Sequence, residues 1–127
     1  MTYVDDYITG LENTLKAVSR SEIQAMADFL FEALFDDRQI FIIGNGGSAS
    51  TASHMMNDLS KLTIRPGKPR YRAIALTDNM PLISAWGNDA SYDLVFTEPL
   101  RNLMRTSDIL VAISTSGNSP NILSAIE

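Results

Sequence analysis

Gln39-Ile40-Phe41-Ile42-Ile43 runs directly into Gly44-Asn45-Gly46-Gly47-Ser48, and this junction decides the fold. A short, β-branched and almost wholly apolar run suits a strand covered on both faces of a parallel sheet. Beyond the glycines, residues 49–62 contain neither glycine nor proline and carry Met55, Met56, Leu59 and Leu62 at helical spacing. Ser48 is placed to cap that helix. The order is strand, glycine loop, helix.

The same unit returns downstream. Turn formers in Arg65-Pro66-Gly67-Lys68-Pro69 lead to a second apolar strand at 71–76 and a short helix at about 80–86. Gly87-Asn88-Asp89 reads as a turn, and a second short helix is expected near 98–104. Residues 108–113 form a third strand, followed by Ser114-Thr115-Ser116-Gly117-Asn118-Ser119 and a helix opened by Pro120. Buried strands alternating with helices imply an α/β fold with a doubly wound parallel sheet. Its right-handed crossovers gather the loops after the strands at one edge, where such sheets bind ligands.

Upstream, residues 3–35 read as two helices forming a hairpin, because Val4, Ile8, Leu11, Leu15 and Val18, then Ile23, Met26, Leu30 and Leu34, recur every three or four positions. The break falls at Ser19-Arg20-Ser21, with Ser21 as the expected cap and Gln24 answering it. The apolar stripes serve either core packing or a subunit interface. The chain thus divides into a helical hairpin, 1–35, and a sheet domain, 36–127. The last helix reaches Glu127 still apolar and without a cap, and three strands make a thin sheet, so the expectation is a domain interrupted at its C-terminal side.

Composition narrows the chemistry. Fifteen acidic against ten basic residues give a formal charge of -5, which disfavours direct binding to nucleic acid. No apolar run approaches the roughly 20 residues that cross a bilayer, and the N-terminus lacks a signal-peptide layout, so no membrane association is expected and the cytoplasm is the expected location. The absence of cysteine removes disulfides, thiolate nucleophiles and cysteine-ligated zinc.

Two loops remain as anion sites. A helix N-terminus presents unpaired amides and the positive end of a dipole, which favours phosphate. The first loop has three glycines for close backbone approach; the second brings Ser114, Thr115, Ser116 and Ser119 within six residues. Taken singly, Ser48 and Ser119 could merely cap their helices. Their equivalent placement on one sheet edge favours a shared ligand. Gly44-x-Gly46-x-x-Ala49 also matches a dinucleotide fingerprint, with Asp78 after the second strand as the ribose acid. That spacing exceeds the usual ~20 residues and leaves the hydroxyl cluster without a purpose. A Walker loop is excluded, since no Gly-Lys-Ser or Gly-Lys-Thr follows.

The glycine loop with His54 six residues beyond it, Gly87-Asn88-Asp89, and the serine-rich loop after Ile113, in this order, resemble the SIS (sugar isomerase) family. Within it the chain is similar to the phosphoheptose isomerases and to their relative, the DnaA-associating replication initiator regulator. The resemblance implies a flavodoxin-like three-layer sandwich and a homotetramer binding a ketose or aldose phosphate. It implies substrate contacts at Asn45, Gly46, Gly47 and Ser48, at Asn88 and Asp89, and at Ser114, Thr115, Ser116 and Ser119. It also implies zinc at His54. Where the isomerases carry a glutamate as base and metal ligand, four residues after this histidine, this chain has Asp58. The family's later glutamine and histidine have no counterpart within the 127 residues.

Read from the residues, His54 and Asp58 are an i, i+4 pair sharing one helix face. Imidazole and carboxylate suit zinc, yet two donors leave its shell incomplete. A plain surface contact is the alternative. The resemblance implies an aldose–ketose isomerase acting on sedoheptulose 7-phosphate through an enediolate, with Asp58 as base and His54 holding the metal. The other readings are a non-catalytic regulator that keeps the sugar-phosphate cradle as an assembly platform, and a dinucleotide-binding fragment.

Overall fold

The computed structural model describes residues 2–127. Two helices come first, α1 (Tyr3–Ala17) and α2 (Arg20–Phe35). Thr2 caps α1 through a reciprocal box: its hydroxyl accepts the Asp5 amide at 3.3 Å, and the Asp5 carboxylate accepts the Thr2 amide at 2.8 Å. Ser19, rather than Ser21, caps α2, its hydroxyl accepting the Glu22 amide at 3.3 Å. Ser21 already lies inside the helix, and Gln24 turns forward to Asp28 instead of back. No residue of α1 is buried, and Val4, Ile8, Leu11 and Leu15 are between 48% and 64% exposed.

Glu32–Glu127 is a separate compact unit. Its sheet has three parallel strands, β1 (Gln39–Gly44), β2 (Arg72–Ala75) and β3 (Ile109–Ile113), in the order β2-β1-β3. Phe41 stands opposite Ile74 on one side and Leu110 on the other. Central placement explains the apolar run, for Ile40, Phe41, Ile42 and Ile43 are each at most 1% exposed. The crossovers are α3 (Gly47–Asn57) between β1 and β2, then α4 (Met80–Asp89) and α5 (Thr97–Leu103) before β3, with α6 (Pro120–Ile126) last.

Side chains alternate across β1. Phe41 and Ile43 join Leu76, Val95, Phe96, Leu100 and Ile122 in one buried cluster, against which Trp86 and Met104 pack. Ile40 and Ile42 face the other way, and α3 packs against β1 with Ala52 fully buried. Each fully buried Ile, Val or Phe side chain stabilises the fold by about 1.5–3 kcal/mol.

Two local expectations are corrected. Gly87-Asn88-Asp89 is not a turn; α4 runs through it to Asp89. A glycine within a helix costs about 0.5–1 kcal/mol relative to alanine, and a Cβ at Gly87 would make only ordinary van der Waals contact with Tyr92 and Val95, at 3.7 and 3.8 Å. The helix after the glycine loop begins at Gly47, its N-cap is Gly46, and residues Asp58–Leu62 continue it as a π turn. Ser48 therefore sits in the first turn instead of capping it. Among the described residues, no helix is long and apolar enough to cross a membrane.

Candidate functional site

The glycine loop is shaped by two glycines. A Cβ on Gly44 would stand 2.6 Å from the backbone oxygen of Ser48, so only hydrogen fits there. Gly46 has φ 53° and ψ -120°, a conformation open to glycine alone. The bend carries the chain from strand to helix within three residues. The Ser48 amide donates to the Asn45 carbonyl at 2.9 Å, while the amides of Gly46 and Gly47 enter no turn hydrogen bond among the described residues.

The serine loop follows β3, which pairs with β1 so that Ile113 lies opposite Gly44. That register brings the two loops side by side. Ser114 is the hub of the second: its hydroxyl accepts the Gly117 amide at 3.1 Å and lies 3.3 Å from the Ser119 hydroxyl and 3.5 Å from that of Ser116. Ser116 in turn accepts the Asn118 amide at 3.2 Å. Gly117 supplies the positive φ, 68°, that closes the turn. Ser119 is the N-cap residue of α6 by position, yet its hydroxyl makes no capping bond and stays with Ser114.

Between the loops lies a cavity of about 230 Å³. Asn45 and Ser48 line it from the first loop, and Ile113, Ser114, Thr115, Ser116 and Ser119 from the second. None of these side chains is charged. Pockets for drug-sized ligands run to about 300–1,000 Å³, so this one suits a small polar group held by hydroxyls and amides. Six of the residues expected to touch substrate thus meet in one cavity, with Gly46 and Gly47 next to it in the chain.

The remaining expected residues stand elsewhere. Asn88 and Asp89 end α4, both exposed, joined by a 2.7 Å bond from the Asn88 amide to the Asp89 carboxylate. His54 lies six residues beyond Ser48, about 9 Å along the helix axis. Its Nε2 is 3.4 Å from an Asp58 oxygen, with the side chains 76% and 41% exposed, and neither residue lines the cavity. Among the described residues no group of three His, Cys, Asp or Glu side chains could hold a metal ion. Imidazole and carboxylate have the right chemistry for zinc, but these two donors do not by themselves make a zinc site. Asp78, the ribose acid of the dinucleotide alternative, is engaged by the hydroxyls of Ser53 and Thr77.

Two residues escaped the sequence reading. Asn121, 2% exposed, exchanges two hydrogen bonds with Asn45, at 2.8 and 2.9 Å, and the Tyr92 hydroxyl donates to the same Asn45 oxygen at 3.2 Å. The only available signal for Asn121 was a lone amide between Pro120 and the apolar Ile122 and Leu123. Tyr92 carried none.

The probable phosphoheptose isomerase of Thermoplasma acidophilum is 40% identical over 106 residues, which are 84% of this chain and 58% of that protein. The phosphoheptose isomerase of Shewanella loihica is 42% identical over 126 residues, 97% of this chain and 63% of that one. The solved phosphoheptose isomerase of Neisseria gonorrhoeae superposes with a TM-score of 0.81 at 34% identity, covering 98% of this chain and 63% of its own. The chain therefore spans about 58% to 63% of the length of these relatives. The SIS domain model matches residues 2–127, a span that takes in both loops and every helix between them, and on that match the chain belongs to the SIS domain family.

Proposed function

We propose that this protein is a cytoplasmic phosphosugar isomerase of the phosphoheptose isomerase kind, interconverting sedoheptulose 7-phosphate and the corresponding aldose phosphate. One observation carries the reading: the glycine loop and the serine loop close on a single uncharged cavity lined by five hydroxyl side chains. Hydroxyls and backbone amides can surround a phosphate without a lysine, and a helix N-terminus at Gly47 favours the anion. The relatives named phosphoheptose isomerase support the same substrate class.

In this reading Ser114, Thr115, Ser116 and Ser119 hold the phosphate. Ser48 and the amides of Gly46 and Gly47 hold further oxygens, and Asn88 and Asp89 take sugar hydroxyls. Asp58 moves the proton between adjacent carbons of the sugar through an enediolate, a role that contributes about 10²–10⁴-fold when correctly placed. His54 with Asp58 would supply two donors to a zinc ion, whose chemistry when bound is polarisation of the carbonyl. Assembly as a homotetramer is supported by the exposed apolar stripe of α1, which a subunit contact would cover.

The test is conversion of sedoheptulose 7-phosphate followed by NMR. Turnover supports the isomerase; phosphate-dependent stabilisation without turnover supports the second reading, a non-catalytic SIS regulator. That second reading is favoured by the position of Asp58, half-buried and outside the cavity. NAD, which the dinucleotide alternative requires, should leave the melting temperature unchanged.

A further inference from the structure

We propose that Asn121 is a positioning residue: acting through Asn45, it ties the serine loop to the glycine loop so that their hydroxyls face one cavity before any ligand arrives. The inference rests on the reading of that cavity as a phosphate site. Among the described residues Asn121 is the one buried polar side chain, and no buried polar atom lacks a partner. Its carboxamide is aligned head to tail with that of Asn45, 76 positions away in sequence.

The placement of the pair gives it this role. Asn45 joins β1 to the glycine turn, and Asn121 stands in the first turn of α6, two residues beyond Ser119. Ile122, its neighbour, is 3% exposed in the core, so α6 is anchored on one side while Asn121 reaches across to the other loop. The two bonds point in opposite directions between two planar groups, which opposes both sliding and rotation of one loop against the other. Tyr92 adds a third arm, its hydroxyl donating to the Asn45 oxygen and so restraining Asn45 from the 3₁₀ turn Tyr92–Leu94. Asn45 lines the cavity, but its carboxamide oxygen already accepts two bonds and one of its N–H groups is committed to Asn121. Its side chain serves the ligand chiefly by holding the loop.

The experiment is an NMR titration of inorganic phosphate, and separately of sedoheptulose 7-phosphate, into wild type, Asn121→Ala and Tyr92→Phe. Folded Asn121→Ala should bind both at least about tenfold more weakly, as when an outer partner of a ligand-holding group is lost. Tyr92→Phe, which removes one arm at a half-exposed ring, should weaken binding by about two- to threefold. A merely structural pair would lower the melting temperature of Asn121→Ala and leave the affinity of its folded form at the wild-type value; that result overturns the proposal. Amide hydrogen exchange of the wild type decides the matter should Asn121→Ala not fold. The hydrogen-bonded amides of Ser48, Ala49, Gly117 and Asn118 should open with one common free energy, and independent opening of the two loops overturns the tie. A wild type that binds neither phosphate probe sinks the cavity reading instead, and the exchange data still judge the tie.

Discussion

The imidazole of His54 stands 3.4 Å from the carboxylate of Asp58, one turn apart on α3 and its π continuation, with both side chains in contact with solvent. An exposed pair of this kind contributes about 0.3–0.5 kcal/mol at most. Asp58→Asn should therefore move the unfolding midpoint very little. If Asp58 is the base, the same substitution should lower turnover of sedoheptulose 7-phosphate by about 10²–10⁴-fold. Equal turnover in wild type and variant removes Asp58 from the mechanism.

Thr115 gives the cleanest probe of the cavity, because its hydroxyl makes no hydrogen bond within the loop, whereas that of Ser114 receives the Gly117 amide. Thr115→Val should leave stability within about 0.5 kcal/mol and shrink the thermal shift produced by sugar phosphate. The double variant Ser114→Ala, Ser116→Ala should abolish most of that shift and also loosen the turn, at about 0.5–1.5 kcal/mol for each lost bond. Differential scanning fluorimetry with and without ligand separates the two effects. An undiminished shift in the double variant would place the phosphate elsewhere.

Gly44→Ala should destabilise the protein by displacing the glycine loop, since the new methyl would overlap the Ser48 backbone oxygen at 2.6 Å and backbone cannot rotate away. Gly47→Ala is the matched control, because a Cβ there meets nothing within 4 Å. Denaturant midpoints for the pair should differ clearly. Similar midpoints would mean that the loop yields easily and that the first cavity wall is not rigid.

Phe41 and Ile74 are paired neighbours of unequal weight, the first 1% exposed in the central strand and the second 41% exposed on the edge. Phe41→Ala should cost about 3–5 kcal/mol, enough to unfold a marginal domain. Ile74→Ala should cost well below half of that. Urea unfolding followed by circular dichroism reads both, and comparable losses would contradict the sheet order.

Acid should loosen the start of α1 late. Hydrogen bonds from the Thr2 backbone amide and then from its hydroxyl hold the Asp5 carboxyl below the ordinary aspartate value. A depressed carboxyl contributes stability above its unfolded value and loses it as pH falls through the folded one. Thr2→Ala, which deletes the hydroxyl, should thus raise the Asp5 titration midpoint part of the way back toward the ordinary aspartate value in a carboxyl-carbon NMR titration. An Asp5 midpoint left unmoved by Thr2→Ala would deny the hydroxyl's part in the capping box.

Local pattern was enough to locate the strands, because a central parallel strand must be apolar on both faces and 39–43 is the plainest such run. The edge strand β2 came out shorter than the expected 71–76, since the chain leaves it for a 3₁₀ turn at Leu76–Asp78. Helix starts were less legible. Ser19 and Ser21 are equivalent as text, and only the backbone decides which lies outside the helix; Gly46 displaced Ser48 as cap for the same reason.

By itself the sequence determined the parallel α/β class, the position of both loops and the residue types that can meet an anion, because these follow from apolar runs and glycine punctuation over a few neighbours. Tertiary structure alone decided which of those residues share a cavity. The register of Gly44 against Ile113 brings Ser48 to the 114–119 hydroxyls, while the axial rise of α3 carries His54 and Asp58 away from them. It also revealed Asn121. A buried amide is tolerated only when another group satisfies it, and its partner, 76 residues distant, becomes a neighbour only once the sheet is formed.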